Sequence, residues 1–119
     1  MPWGEEVWFA VGDVTGHGTA AAVYGALMLH LLQMAWLDAD VQADVQPLAA
    51  AARMVNREIV RNKTGNIALP VILSRVVPQD GIVEILNCGS PATPFLLRDG
   101  SVIEIEGGGP ALGYLANPP

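Results

Sequence analysis

The sequence predicts an α+β fold in which helices pack on an antiparallel sheet, and three observations lead to that prediction. An apolar run, "EEVWFAVGD", stands first and is typical of a buried strand. Two segments with helical character follow it. Beyond residue 66 the pattern changes to short β-rich runs separated by "PQDG", "GSPA" and "DGS", which indicates a meander of antiparallel hairpins. One strand, two helices and then hairpins describe a layer of helices on a sheet.

Length and composition restrict the class of protein. The chain has 119 residues, 51% of them hydrophobic and 15% charged, so we expect one globular domain over residues 1–119. Its net charge is -6 with only six Lys and Arg, which argues against a nucleic-acid partner. The single cysteine, Cys88, lies in an apolar run and is expected to be a small buried residue in a reducing cytoplasm.

The first predicted helix runs from Thr19, a plausible N-cap, to Leu37 and is apolar on nearly all faces. Its length approaches that of a membrane span. Gly25, His30 and Gln33 interrupt the apolar run and no Lys or Arg cluster flanks it, so we expect no membrane span but a helix covered on both sides within a soluble protein. His30, with one internal hydrogen bond, is then expected in the core together with Met28, Met34 and Trp36.

A polar connection, "DADVQADVQ", is expected before the second helix. Pro47 can occupy the first turn of that helix, which should reach about Asn62 with one apolar face. In the strand that follows the turn "NKTGN", Pro70 removes a backbone donor and favours an edge position or a bulge.

The motif "VGDVTGHGTAAAVYGALM" carries the functional prediction. Together with "LAAAARMVNREI", "VEILNCGSPATPFLLRDGSV" and "GGGPALGY", it resembles in order and spacing the metal-dependent (PPM-type) protein serine/threonine phosphatases, within them the stage II sporulation protein E branch. The resemblance covers nearly all of the chain but only the middle of the family's domain. It implies part of an αββα sandwich, because a Gly-Gly-Asp segment before it and a Thr-Asp-Gly motif after it are not in this sequence.

The resemblance also implies a site. In such enzymes two Mg²⁺ or Mn²⁺ ions share a carboxylate and activate a bridging water that attacks a phosphoserine. Asp13 matches the shared ligand and catalytic residue, and the backbone carbonyl of Val14 would be a further metal ligand. Gly16, His17 and Gly18 match the segment nearest the substrate, where glycines allow a tight turn and the start of a helix favours an anion.

The residues alone leave other roles open. An Asp after a strand can be a turn former or a helix cap, and His17 can be a solvent-facing side chain. Asn56 matches an Asn of the family and is expected to tie its helix to a loop rather than to contact substrate. Similar domains carry a histidine where Ser90 stands, and Pro70 also departs from their pattern.

One carboxylate does not hold two divalent ions. We therefore expect the isolated chain to bind metal weakly, to turn over little, and to self-associate through exposed sheet edges. The implied substrate is a phosphoserine on a regulatory protein, such as an anti-sigma-factor antagonist, in the cytoplasm. Two alternatives stand beside it: an inactive phosphatase-like module that binds a partner protein, and a nucleotide-phosphate loop, which lacks the Lys and Gly spacing of known loops.

Overall fold

The computed structural model describes residues 6–14, 18–62 and 68–113. It confirms the α+β prediction, with helices and antiparallel strands in the expected order. The elements are β1 (Val7–Gly12), α1 (Gly18–Leu37), α2 (Ala39–Ala43), α3 (Pro47–Asn62), β2 (Val71–Val77), β3 (Ile82–Cys88), β4 (Phe95–Arg98) and β5 (Ser101–Glu104). Residues 63–66 of the turn "NKTGN" lie outside the described residues.

The strands of the described residues form two sheets. The first has the order β1-β2-β3 with antiparallel neighbours, and the second is the hairpin β4-β5. Asp99 and Gly100 both have positive φ, as a two-residue turn between twisted strands requires. The hairpins are therefore confirmed, but the continuous meander is wrong, because β3 and β4 do not pair in the part of the chain that the structure describes.

The expectation that the strand beginning near Pro70 lies at the edge of the sheet is wrong. β2 is the central strand, since it pairs with β1 on one side and β3 on the other. Pro70 stands directly before Val71, the first residue of β2, so its missing N–H removes no bond from the ladder. Further along β2, Arg75 forms one ion pair with Glu6, which directly precedes β1, and another with Glu84 in β3.

The core lies between the helices and one face of the first sheet. α3 packs against β2 and β3, and the rings of Trp8 and Trp36 lie 5.7 Å apart between β1 and α1. This distance lies within the range in which two aromatic rings attract each other. The buried members of the core come from the three helices, from β2 and β3, and from the bridge between Leu69 and Leu112: Met28, Leu32, Ala35, Val41, Leu48, Ala51, Ala52, Val55, Ile59, Leu69, Val71, Leu73, Cys88 and Leu112.

The expectation that α1 is covered on both sides is wrong. Only 17% of its most apolar stretch of 18 residues is buried, and by length and composition this helix could cross a membrane. Met28 is buried and Trp36 half-buried, as expected, but Met34 and His30 are exposed. The periodicity of α1 could not reveal this, because apolar residues occupy both its covered and its uncovered side.

One helix boundary differs from expectation, and one further helix is present. α1 begins at Gly18, one residue before the predicted N-cap Thr19, which is within the usual uncertainty of helix ends. The polar connection contains the short helix α2. The carboxylate of Asp38 accepts hydrogen bonds from the backbone N–H groups of Asp40 and Val41, so it caps α2.

Gly89, in the loop after β3, should tolerate no side chain. Its φ is +73°, and a Cβ there would lie 2.3 Å from the backbone nitrogen of Ala111. Gly100 has a similar φ of +78° but open space around it. We expect Gly100→Ala to lower the free energy of unfolding by about 1 kcal/mol and Gly89→Ala by several times as much.

Urea denaturation followed by circular dichroism would measure both changes. The matched pair separates backbone strain from steric conflict, because only Gly89 lies against another segment. Equal losses for the two variants would contradict the packing of the β3–β4 loop against Ala111.

Candidate functional site

Asp13 follows the last residue of β1, and its backbone position is fixed by β2. Gly12 pairs with Val71, and the N–H of Asp13 donates to the carbonyl of Pro70 at 3.1 Å. A Cβ at position 12 would lie 2.8 Å from that same carbonyl oxygen. Gly12 is therefore required by close approach of the two strands, and the chain leaves the sheet at Asp13 with a defined direction.

Val14 joins this strand end to α1. The Val14 side chain is half-buried and packs against the core. A Cβ at position 25 would lie 3.3 Å from the Cγ2 atom of Val14, so Gly25 lets α1 approach this side chain closely. An apolar residue at position 14 thus has a packing role, whatever its backbone carbonyl binds.

Asp13 lies on the wall of a cleft between α1 and the start of the first sheet. The cleft has a volume of about 620 Å³. The Asp13 residue is exposed, and its carboxylate accepts no hydrogen bond from any described residue. Among the described residues that line the cleft, only Asp13 is charged: Ala10, Val11, Gly12, Asp13, Val14, Gly18, Ala21, Ala22, Gly25, Leu29, Leu32, Leu69 and Val71.

The structure brings three of the predicted site residues to this cleft. Asp13, Val14 and Gly18 all line it, and Gly18 is the first residue of α1 with a φ of +87°. Free backbone N–H groups at a helix start favour an anion. Gly16 and His17 lie outside the described residues, so their predicted contacts with substrate stay predictions.

The described residues do not form a complete site for two metal ions. They contain no group of three His, Cys, Asp or Glu side chains that could hold a metal. Mg²⁺ gives up its waters only when several carboxylates or phosphates replace them, and this wall of the cleft offers one carboxylate. Asp13 alone therefore does not fit the pair of ions that the motif implies.

The loop after β3 leaves the sheet at the same end as Asp13, because Val71 pairs with both Gly12 and Cys88. The Oδ1 atom of Asn87, near the end of β3, accepts from the N–H of Ser90 in this loop at 2.8 Å, and the Ser90 hydroxyl oxygen accepts from the N–H of Ala92 at 3.2 Å. Ser90 therefore stabilises the turn. Sequence reasoning singled out Ser90 but missed Asn87, although an Asn before Cys-Gly-Ser-Pro is a recognisable turn signal.

Asn56 holds the helix layer to the last described loop. It is buried, with 2% of its surface exposed, and its Oδ1 atom accepts from the N–H of Gly113 at 2.7 Å. The expected tie between helix and loop is present. Because Leu112 pairs with Leu69 just before β2, this tie also supports the floor of the cleft.

The sequence also matches a known protein family. The family model of stage II sporulation protein E (SpoIIE) matches residues 4–119. The chain belongs to the SpoIIE family. SpoIIE domains are phosphatases of the PPM type, a class that depends on Mg²⁺ or Mn²⁺. No curated protein and no solved structure matches the chain.

Cys88, at the end of β3, gives a prediction that depends on burial. It is 4% exposed, and loss of hydration raises the pKa of its thiol from 9.0 to about 11. A group whose pKa is higher in the folded state stabilises the fold below its unfolded pKa and loses that contribution as the pH rises. We expect the free energy of unfolding to fall by on the order of 2 kcal/mol between about pH 8.5 and pH 11.

Urea denaturation across that range would measure this loss. Cys88→Ala provides the comparison, because every other titrating group is retained. The difference between the two proteins should grow with rising pH in favour of Cys88→Ala, and parallel profiles would contradict a buried thiol.

Proposed function

We propose that this chain is part of a metal-dependent protein serine/threonine phosphatase that hydrolyses phosphoserine on a regulatory protein, such as an anti-sigma-factor antagonist. Asp13 and the carbonyl of Val14 are proposed as metal ligands. Gly16, His17 and Gly18 are proposed to lie against the substrate phosphate. The proposed setting is the cytoplasm, without nucleic acid and without a membrane span.

One observation carries this proposal: in a chain of the SpoIIE family, the only charge among the described residues of the cleft is that of Asp13. An isolated carboxylate repels a phosphate, so it has no use in binding that substrate directly. A cation held between the two would remove this repulsion. The start of α1, at Gly18 on the same wall, offers backbone N–H groups to the anion.

A second candidate function is an inactive phosphatase-like module that binds a partner protein. The single carboxylate on the described wall of the cleft favours it, as do Pro70 and Ser90, where this chain departs from the family's pattern. Both of these residues have structural roles here: the Pro70 carbonyl accepts from Asp13, and Ser90 completes a turn. The two candidates differ in whether Asp13 binds metal.

Manganese titration followed by nuclear magnetic resonance tests the proposal at residue level. Mn²⁺ broadens the signals of amides near its binding site, so it reports even weak binding. We expect broadening around Gly12–Val14 and the first turn of α1, with a dissociation constant weaker than about 1 mM because one carboxylate leaves most of the ion's waters in place.

Asp13→Asn should remove this broadening while keeping the shape of the side chain. Asp80→Asn is the matched control, because Asp80 is an exposed acid in the turn between β2 and β3. Broadening that is centred on Asp38 and Asp40, or that persists in Asp13→Asn, would contradict the assignment of Asp13 as a metal ligand. The inactive module that binds a partner protein would then be favoured. Hydrolysis of p-nitrophenyl phosphate with Mn²⁺ should be slow for the chain and slower still for Asp13→Asn.

A further inference from the structure

The cleft beside Asp13 is polar at one end only. Asp13 and Gly18, the first residue of α1, lie together on its wall. The rest of its described lining comes from β1, α1 and the segment that begins β2, and it contains no charged or polar side chain. A substrate phosphate held at the start of α1 therefore has an apolar surface directly beside it.

The apolar part of the cleft is open, and its floor is fixed. Ala22 and Gly25 follow Gly18 at intervals of four and three residues, so these small residues share one face of α1. The floor contains Leu32 and Val71, each 1% exposed and part of the core. A volume of about 620 Å³ is typical of a ligand pocket, and a phosphate fills only a small part of it.

We infer that the apolar part of this cleft binds a large apolar side chain of the substrate, one or two residues from the phosphoserine. The inference rests on the proposed function, which places the phosphate at the start of α1. Along the axis of α1, Ala22 lies roughly 6 Å and Gly25 roughly 10 Å from Gly18. Neighbouring Cα atoms of a peptide are about 3.8 Å apart, so the residues one and two positions from the phosphoserine reach this distance.

Burial makes this contact selective. A leucine or phenylalanine side chain placed against Leu29 and Val71 removes apolar surface from water on both partners. A charged side chain would lose hydration there and would find no partner among the described residues of the apolar part. An acidic side chain would also be repelled by Asp13. The cleft therefore favours a phosphoserine with apolar neighbours over one with acidic or small polar neighbours.

The polar end of the cleft is what favours a phosphopeptide over other apolar ligands. Backbone N–H groups at the start of α1 attract an anion, and they lie on the same wall as the apolar part. A lipid chain or an unphosphorylated peptide would leave those groups unused. A pocket that is apolar apart from a few polar groups at one place fixes both the position and the orientation of its ligand.

Two phosphopeptides test the inference on the full chain. Each carries one phosphoserine, flanked on both sides by two leucines in the first peptide and by two serines in the second. Binding is followed by nuclear magnetic resonance with excess Mg²⁺, which leaves the amide signals sharp. We expect the leucine peptide to bind about tenfold more tightly and to shift the amides of Ala22, Gly25 and Leu29.

Ala22→Leu should remove this preference, because the larger side chain fills the apolar part of the cleft. The two phosphopeptides should then bind within about twofold of each other. Ala26→Leu is the matched control, since Ala26 is exposed on the same helix and is not among the residues that line the cleft. Alanine and leucine are both good helix formers, so both variants should fold, and Ala26→Leu should keep the tenfold preference.

The outcomes separate this inference from the proposed function. If the phosphate and Asp13 both affect binding but the two phosphopeptides bind equally, or if Ala22→Leu keeps the preference, the proposed function stands and the inference is overturned. If the leucine peptide binds equally well without its phosphate and to Asp13→Asn, both are overturned, and the inactive module that binds a partner protein is favoured. Absence of any amide shift with either peptide also overturns the inference.

Discussion

The register of β1 on β2 is the constraint on which the candidate site depends. Gly12 lies opposite Val71, and the next N–H along the chain, that of Asp13, meets the carbonyl of Pro70. A slip of one residue would turn Trp8 away from Trp36 and would move Asp13 to the opposite face of the sheet. The apolar packing of β1 therefore fixes the position of a polar side chain that makes no hydrogen bond of its own with the described residues.

The same sheet has apolar side chains on both faces, although the described helices cover only one. Phe9 pairs with Ser74, and Ser74 with Ile85, and this row faces away from the helices. Phe9, Val11 and Val83 are all about half exposed or more. A half-solvated antiparallel sheet normally alternates apolar and polar positions, so strands of this kind are suited to a sheet that is covered on both sides. Together with the exposed apolar side of α1, the open sheet face gives this chain two apolar surfaces that its described residues do not cover.

Much of the fold could be predicted from the sequence because local signals decided it. Pro47 marked the start of α3, its one-sided apolar pattern marked the length, and Gly-containing turns separated the strands. The exposure of α1 could not be predicted, because a helix that is apolar all round carries no signal for which side the core takes. The central position of β2 could not be predicted either. A proline inside a strand favours the edge of a sheet, but Pro70 lies one residue before the ladder begins.

The candidate site, too, could be predicted only in part from the sequence. The motif identified Asp13 and Gly18 as neighbours, since a strand, a short loop and a helix in succession bring their ends together. The apolar character of the rest of the cleft follows from tertiary packing, which brings Leu69 and Val71 beside Leu29 and Leu32. No local pattern joins those two segments across the intervening helices.

The lone charge of Asp13 is what connects family membership to chemistry. The exposed carboxylate of Asp13, beside apolar walls, forms neither an ion pair nor a hydrogen bond with the described residues. A structural Asp at a strand end usually caps a neighbouring N–H, as Asp38 does for α2. Among the described residues, Asp13 holds the strand through its backbone N–H, and its carboxylate has no partner there. A backbone fixed by the sheet and a carboxylate without a partner among the described residues agree with the proposed role of Asp13 as a metal ligand.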